Sequence, residues 1–478
     1  TDASGKGKKM KKAQVKLNYK NVTSGIIGKE HGITPGQLRT LEKKLKPLIA
    51  KINKRRQAGQ TPFRDLPYNK QISKRVNALV KTFRKDCDHL VVLGIGGSAL
   101  GNIALDTALR PFLPDPKDKQ SKKPELFVLD NVDPDQCGSF LEYIKPKLRR
   151  TVFNVISKSG RTSETASQFM IVREMLIDTL GKSGYQQRVV ATTDANEGTL
   201  RAIADSDKLE TLEVPGGVGG RFSVLSAVGL FSAAMCGIDI SQLLAGARDM
   251  DARVSSGEFR KNPAAINAAI NYYYYTHGKP ISVMMSYSHA LKDMADWYRQ
   301  LCAESLGKKL DLDNNEVWAG PTPVKALGTT DQHSQVQLYR EGPNNKLFTF
   351  LQVDSFAHSC VIGPAPDCAP ELGYLAGRKM SDLFNNEKKA TEYALVESKR
   401  PNLTVIFDRV SPYTVGQFIY LYEVTTSLVG AMLNINTYDQ PAVELGKEAT
   451  FALMGREGYE GFAQKIRPKI KIDNNYLV

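Results

Sequence analysis

Cysteine is scarce and scattered in this chain. Six occur in 478 residues (Cys87, Cys137, Cys236, Cys302, Cys360 and Cys368), and none belongs to a CxxC pair. That spacing excludes a disulfide framework and a zinc cluster, and points to a reducing, cytoplasmic setting. Histidine is equally rare: the six, at positions 31, 89, 277, 289, 333 and 358, form no HxH or HxxxH. No resident metal is expected from such a set. No run of apolar residues reaches the length of a membrane-spanning helix, and the first thirty residues lack the apolar core of a secretory signal. What is present is ordinary for a globular protein: 41% hydrophobic and 24% charged residues, in a length that allows roughly two to four domains.

The formal net charge is +15, which invites a nucleic-acid reading, but its distribution argues otherwise. Residues 1–56 hold 16 Lys and Arg against 3 Asp and Glu, a local +13, so the remaining chain carries only +2. The basic character belongs to an arm. Residues 1–20 are rich in Gly and Lys, a composition expected to be mobile. Residues 34–57 start at Thr34-Pro35 and then place Leu38, Leu41, Leu45 and Leu48 between lysines and arginines, the pattern of an amphipathic helix. A solvated helix face is the expected reading, with weak polyanion binding the alternative; no specific nucleic-acid partner is expected.

From about residue 75 onward, short apolar runs alternate with helical patterns. Runs at 90–93, 126–129, 152–156 and 189–191 are separated by helix-like stretches at 99–113, 163–180 and 198–204. The rhythm returns with 281–285, 347–353 and 403–407, with helices expected at 290–304 and 414–433. Such alternation predicts an α/β protein with two tandem doubly wound parallel sheets. The expected segments are an arm and helix (1–56), a first domain (57–255), a second domain (256–435) and a helical tail (436–478).

Two turns carry chemistry. The first, Gly94-Ile95-Gly96-Gly97-Ser98-Ala99, follows a strand run and opens a helix. Glycines let the backbone approach a ligand, and a helix N-terminus suits phosphate. The second, Ser157-Lys158-Ser159-Gly160-Arg161-Thr162-Ser163, has the same strand-to-helix setting and places four hydroxyls around a cation. Gly94, Gly96 and Ala99 also fit the dinucleotide pattern GxGxx(G/A), but that pattern requires an acidic residue about 20 positions later. The nearest acidic candidate at a strand end, Asp130, lies 36 positions after Gly94, so no nicotinamide or flavin cofactor is expected.

Three further segments, taken with these turns, resemble the glucose-6-phosphate isomerase family. They are Gly219-Gly220-Arg221-Phe222-Ser223; Ala303-Glu304-Ser305 with Thr329-Thr330-Asp331-Gln332-His333-Ser334; and Tyr438-Asp439-Gln440-Pro441-Ala442-Val443-Glu444 ending at Lys447. The resemblance implies two sugar-isomerase-type α/β domains and a cytoplasmic homodimer. It also implies the reversible conversion of glucose 6-phosphate to fructose 6-phosphate through ring opening and a cis-enediol, as in glycolysis and gluconeogenesis. No cofactor is implied.

The resemblance assigns roles residue by residue. Glu304 becomes the base that carries a proton between carbons 2 and 1. His333 becomes the ring-opening histidine, supplied by a neighbouring subunit. Lys447 assists ring opening, Arg221 faces the enediolate, and Gln440 hydrogen-bonds the sugar. Gly97, Ser98, Ser157, Lys158, Ser159 and Thr162 take the phosphate. Two alternatives are a dual-specificity phosphoglucose/phosphomannose isomerase and a silent sugar-phosphate sensor. A sensor needs only the cradle, whereas this chain matches all four reacting side chains.

Overall fold

The structure, a computed structural model, describes residues 13–113 and 123–478. In chain order the described strands are β1 (Val15–Asn18), β2 (His89–Leu93), β3 (Glu125–Leu129), β4 (Thr151–Ile156), β5 (Val189–Thr193) and β6 (Glu210–Glu213). There follow β7 (Ile281–Tyr287), β8 (Lys308–Leu310), β9 (Glu316–Ala319), β10 (Thr322–Leu327), β11 (Lys346–Ser355) and β12 (Asn402–Arg409). Two five-stranded sheets result, ordered β3-β2-β4-β5-β6 and β1-β12-β11-β7-β10, with β8 and β9 forming a separate hairpin.

The first sheet is wholly parallel. Its central strands are buried on both faces, with all six residues of β4 and all five of β5 in the interior, as helix-covered parallel sheets require. On one face Val91, Leu93, Phe153, Val155 and Ala191 pack with Phe169, Val172 and Leu176 of the helix Ser163–Gln186. The chain steps from β2 out to β3 and then back across β2 to β4. The order therefore reverses between β2 and β4, where Leu93 pairs with Val155. In open sheets of this kind, ligands bind beyond the carboxyl ends of the strands at such a reversal. Both glycine- and hydroxyl-bearing turns start there.

The second sheet departs from the expected parallel form. β7, β10, β11 and β12 are parallel, but β1 joins the edge antiparallel to β12, pairing Val15 with Phe407 and Asn18 with Thr404. Part of the segment expected to be mobile is thus a strand. Val15 is buried, its N–H donated to Gln417 Oε1 (2.7 Å), and Lys16 pairs with Asp408. Residues 1–12 of that segment lie outside the described residues.

The helix at 34–57 forms as its spacing predicts, over Pro35–Gln57. Thr34 caps it: Thr34 Oγ1 accepts from Gln37 N (3.2 Å) and Gln37 Oε1 from Thr34 N (2.8 Å), a capping box. The buried stripe is Leu41, Leu45, Ile49 and Ile52 rather than one running through Leu38 and Leu48. This helix lies against Pro263–Thr276 and Pro412–Met432, so the basic segment is built into the body.

The boundary expected at 255 falls directly after the helix Ile240–Val254. The helix Ile240–Val254 packs chiefly on Pro412–Met432, which follows the last strand of the second sheet. The two sheets therefore share one helical layer, and the chain divides into compact units only after Thr437. The helix Pro412–Met432 is apolar because it is buried along nearly its whole length. Among the described residues no helix is long and apolar enough to cross a membrane. The second unit, Tyr438–Val478, contains the helices Glu444–Leu453 and Glu460–Ile470.

Candidate active site

The two turns adopt different geometries. After β2, the segment Gly96–Ser98 makes one 3-10 turn before the helix Leu100–Leu109, and Ser98 O accepts from Asn102 Nδ2 (2.8 Å). After β4, Ser157 Oγ accepts from Gly160 N (3.1 Å) and lies 3.4 Å from Thr162 Oγ1; Ser159 Oγ accepts from Arg161 N (3.2 Å). Gly160 has φ +66° and sits against the backbone of Leu200, so the hydroxyls curl around the start of the helix Ser163–Gln186. Ser157 is buried, Thr162 half-buried, and Lys158 and Ser159 are exposed. Thr193 Oγ1, from β5, donates to Ser157 O (2.8 Å) and fixes the turn from below.

Gly97 brings in the third segment. A Cβ on Gly97 would lie 2.2 Å from the carbonyl carbon of Gly220, so two backbones touch where neither residue has a side chain. Arg221 follows. It is 2% exposed, and its Nε donates to Ser305 Oγ (2.7 Å), its Nη2 to Thr437 O (2.7 Å) and its Nη1 to Glu304 Oε2 (3.3 Å).

Glu304 lies in the last turn of the helix Lys292–Leu306. Met294, Trp297, Leu301 and Leu306 bury one side of that helix, which packs against Leu100–Leu109, β10 and Pro412–Met432. Its last turn is thus held beside the first glycine turn. Lys308 Nζ donates to Glu304 O (2.6 Å), a cation on the free carbonyls of a helix C-terminus. The Glu304 side chain keeps 34% of its surface exposed, and Gln300 Nε2 donates to its other oxygen, Oε1 (3.0 Å). Gln300 Nε2 also lies 3.0 Å from where a Cβ on Gly96 would be. One oxygen of the carboxylate is therefore tied to Arg221 and the other to a side chain resting on the glycine turn.

The structure brings together Gly97, Arg221 and Glu304, with Ser98 in the same turn as Gly97 and the 157–162 turn on the next strand. His333 sits elsewhere in the chain. It is exposed in the turn after β10, the edge strand of the second sheet, with its N–H donated to Thr330 O (3.2 Å). Lys447 and Gln440 belong to the unit Tyr438–Val478, where both are exposed; Lys447 Nζ pairs with Glu444 Oε1 (2.7 Å). Three contributors escaped the sequence reading. Gln300 had a usable signal, since i and i+4 on a helix share a face. Ser305 was visible only as part of a motif. Thr437 acts through its carbonyl, which no side-chain pattern reveals. Among the described residues no group of three or more His, Cys, Asp or Glu is arranged to hold a metal ion.

A glycine turn at a strand-order reversal, beside a carboxylate paired with a buried guanidinium and one strand away from a hydroxyl-lined turn, fits a class: an α/β enzyme acting on a small anionic substrate. The particular family is shown by comparison. The model of the phosphoglucose isomerase family matches residues 68–456, and the chain belongs to that family. It is 43% identical over 467 residues to the glucose-6-phosphate isomerase of Carboxydothermus hydrogenoformans, covering 97% of this chain and 99% of that one. It is 39% identical over 454 residues to the glucose-6-phosphate isomerase of Rubrobacter xylanophilus, covering 94% and 99%. Among solved structures, a hypothetical protein of Thermus thermophilus superposes with TM-score 0.81 at 31% identity, over 92% of this chain and 100% of that one. A glucose-6-phosphate isomerase of Chlamydia trachomatis, 24% identical, shares the fold with TM-score 0.71 over 84% of this chain and 77% of that one.

Proposed function

We propose that this chain is an aldose–ketose isomerase that interconverts glucose 6-phosphate and fructose 6-phosphate, a step of glycolysis and gluconeogenesis. The observation that carries the reading is the Glu304–Arg221 pair, 3.3 Å between Oε2 and Nη1, at the mouth of the glycine turn.

The phosphate is held by Ser159 and Thr162 with Ser157 and Lys158, and by Ser98 and the Gly97 backbone on the neighbouring strand. Helix N-termini and free amides suit that charge. With the open chain in place, Glu304 removes the proton from carbon 2 and returns it to carbon 1. A half-exposed carboxylate fixed through both oxygens meets the positional demand of such a base. Negative charge then develops on the enediolate oxygen, and Arg221 faces it. A desolvated fixed donor of this kind contributes ~3 kcal/mol to the transition state. The reaction only relocates hydrogen within the substrate, so it consumes no redox cofactor.

Ring opening precedes these steps and falls to His333 and Lys447, with Gln440 on the sugar hydroxyls; the motif match supports these three assignments. A neutral imidazole gives and takes protons near neutral pH. His333 stands exposed at a sheet edge, a placement that suits delivery into the site of a second copy, and the active form is a homodimer. The setting is the cytoplasm. The test is a coupled assay of fructose 6-phosphate formation from glucose 6-phosphate, with mannose 6-phosphate as the control. Turnover confined to the glucose epimer supports the reading, and no turnover on either refutes it.

A further inference from the structure

We propose that Ser305 is a positioning residue that sets the angle of the Arg221 guanidinium toward Glu304. The inference rests on the isomerase reading for its assay and goes beyond it in assigning a role to Ser305.

Arg221 is buried, and a buried guanidinium is costly unless its donors are matched. Two of its contacts are with groups that have no place in the chemistry: Nε donates to Ser305 Oγ (2.7 Å) and Nη2 to Thr437 O (2.7 Å). Two anchored donors on a rigid planar fork fix the plane of the third. Nη1 is the atom directed at Glu304 Oε2. Ser305 is itself fully buried, which keeps its hydroxyl from direct contact with substrate. It is also the residue next to Glu304 on the same final helical turn. One turn of helix therefore carries both the base and the acceptor that orients the cation, so base and cation move as one body. A slip of about 1 Å in such a pair costs on the order of a hundredfold in rate.

The test is a double-mutant cycle on the full-length enzyme, with wild-type isomerase activity established first. Ser305→Ala is expected to lower kcat roughly tenfold to a hundredfold while KM for glucose 6-phosphate moves less than about threefold, because the phosphate cradle is untouched. In an Arg221→Lys background, where there is no Nε to hold, Ser305→Ala is expected to cost less than about twofold more. Ser305→Cys preserves the buried shape with a weaker acceptor; it is expected to fall between wild type and alanine, and replaces alanine in the cycle if that variant does not fold. Additive losses in kcat, or equal losses in kcat and in thermal stability for every variant, would overturn the assignment. An inactive wild-type chain would instead remove the isomerase reading, a result distinct from an active enzyme indifferent to Ser305.

Discussion

Gly97 and Gly220 meet backbone to backbone: a side chain on Gly97 would begin 2.2 Å from the Gly220 carbonyl carbon. This contact joins the first strand-end turn to the segment that carries Arg221. Gly97→Ala forces the two apart by more than an ångström. Its expected effect is a drop of about a hundredfold in kcat/KM, because Arg221 is carried off its alignment with Glu304. Steady-state kinetics check this, with circular dichroism confirming that the sheets persist.

The hydroxyl turn proposed to hold phosphate gives a different signature. Ser159→Ala with Thr162→Ala removes two hydroxyls while leaving Ser157 to accept from Gly160 N. KM for glucose 6-phosphate is expected to rise at least about tenfold, with a smaller change in kcat, since the lost interactions exist before and during the reaction. An unmoved KM would show that the phosphate lies elsewhere.

Much of this was legible in the chain. The runs around Leu90, Val152 and Ile281 are strands because residues buried on both faces of a parallel sheet are mostly apolar, with single buried polar residues such as Asn154 and Ser282 among them. Both strand-end turns announced themselves through glycine and hydroxyl clusters. β1 did not: Val15–Asn18 is short, half-exposed and flanked by lysines, and its partner β12 lies almost four hundred residues away. The wedging of Arg221 between Ser305 and Thr437 was hidden for the same reason. Those contacts join residues 84 and 216 positions apart, and one acceptor is a main-chain oxygen. Local pattern reports local structure, whereas long-range polar contacts follow only from the finished fold.

Asp251 is the polar centre of the shared helical layer. Its carboxylate accepts from Arg56 Nη1 (2.8 Å), Arg64 Nη2 (3.1 Å), Tyr68 Oη (2.7 Å) and Tyr420 Oη (2.7 Å). Burial alone pushes its pKa up, but hydrogen bonds from Arg56, Tyr68 and Tyr420 outweigh that and hold it below the usual value. A depressed folded pKa means the contribution is complete above the unfolded value near ~4 and is lost as pH falls from there through the folded value. Asp251→Asn is expected to cost about 3–5 kcal/mol near neutral pH, as breaking a buried ion pair does. The difference from wild type should shrink as pH drops below ~4. Denaturant unfolding across pH measures both.

Complementation tests the sharing of the site between subunits. Chains bearing Glu304→Gln and chains bearing His333→Ala are each expected to be nearly inactive. In the proposed homodimer, refolding them together would give mixed dimers in which one of the two sites regains both side chains. Activity should return to about a quarter of the wild-type level for random pairing in a two-fold dimer. No recovery would place His333 in the site of its own chain.

The most direct test of the central claim is Glu304→Gln. Isomerisation of glucose 6-phosphate is measured beside calorimetric binding of a sugar phosphate that cannot isomerise. Loss of the proton-carrying carboxylate should lower kcat by at least about a thousandfold, while affinity stays within about threefold because the hydroxyl turn is intact. Turnover within about tenfold of wild type would contradict the account, since Glu304 would then not be the base.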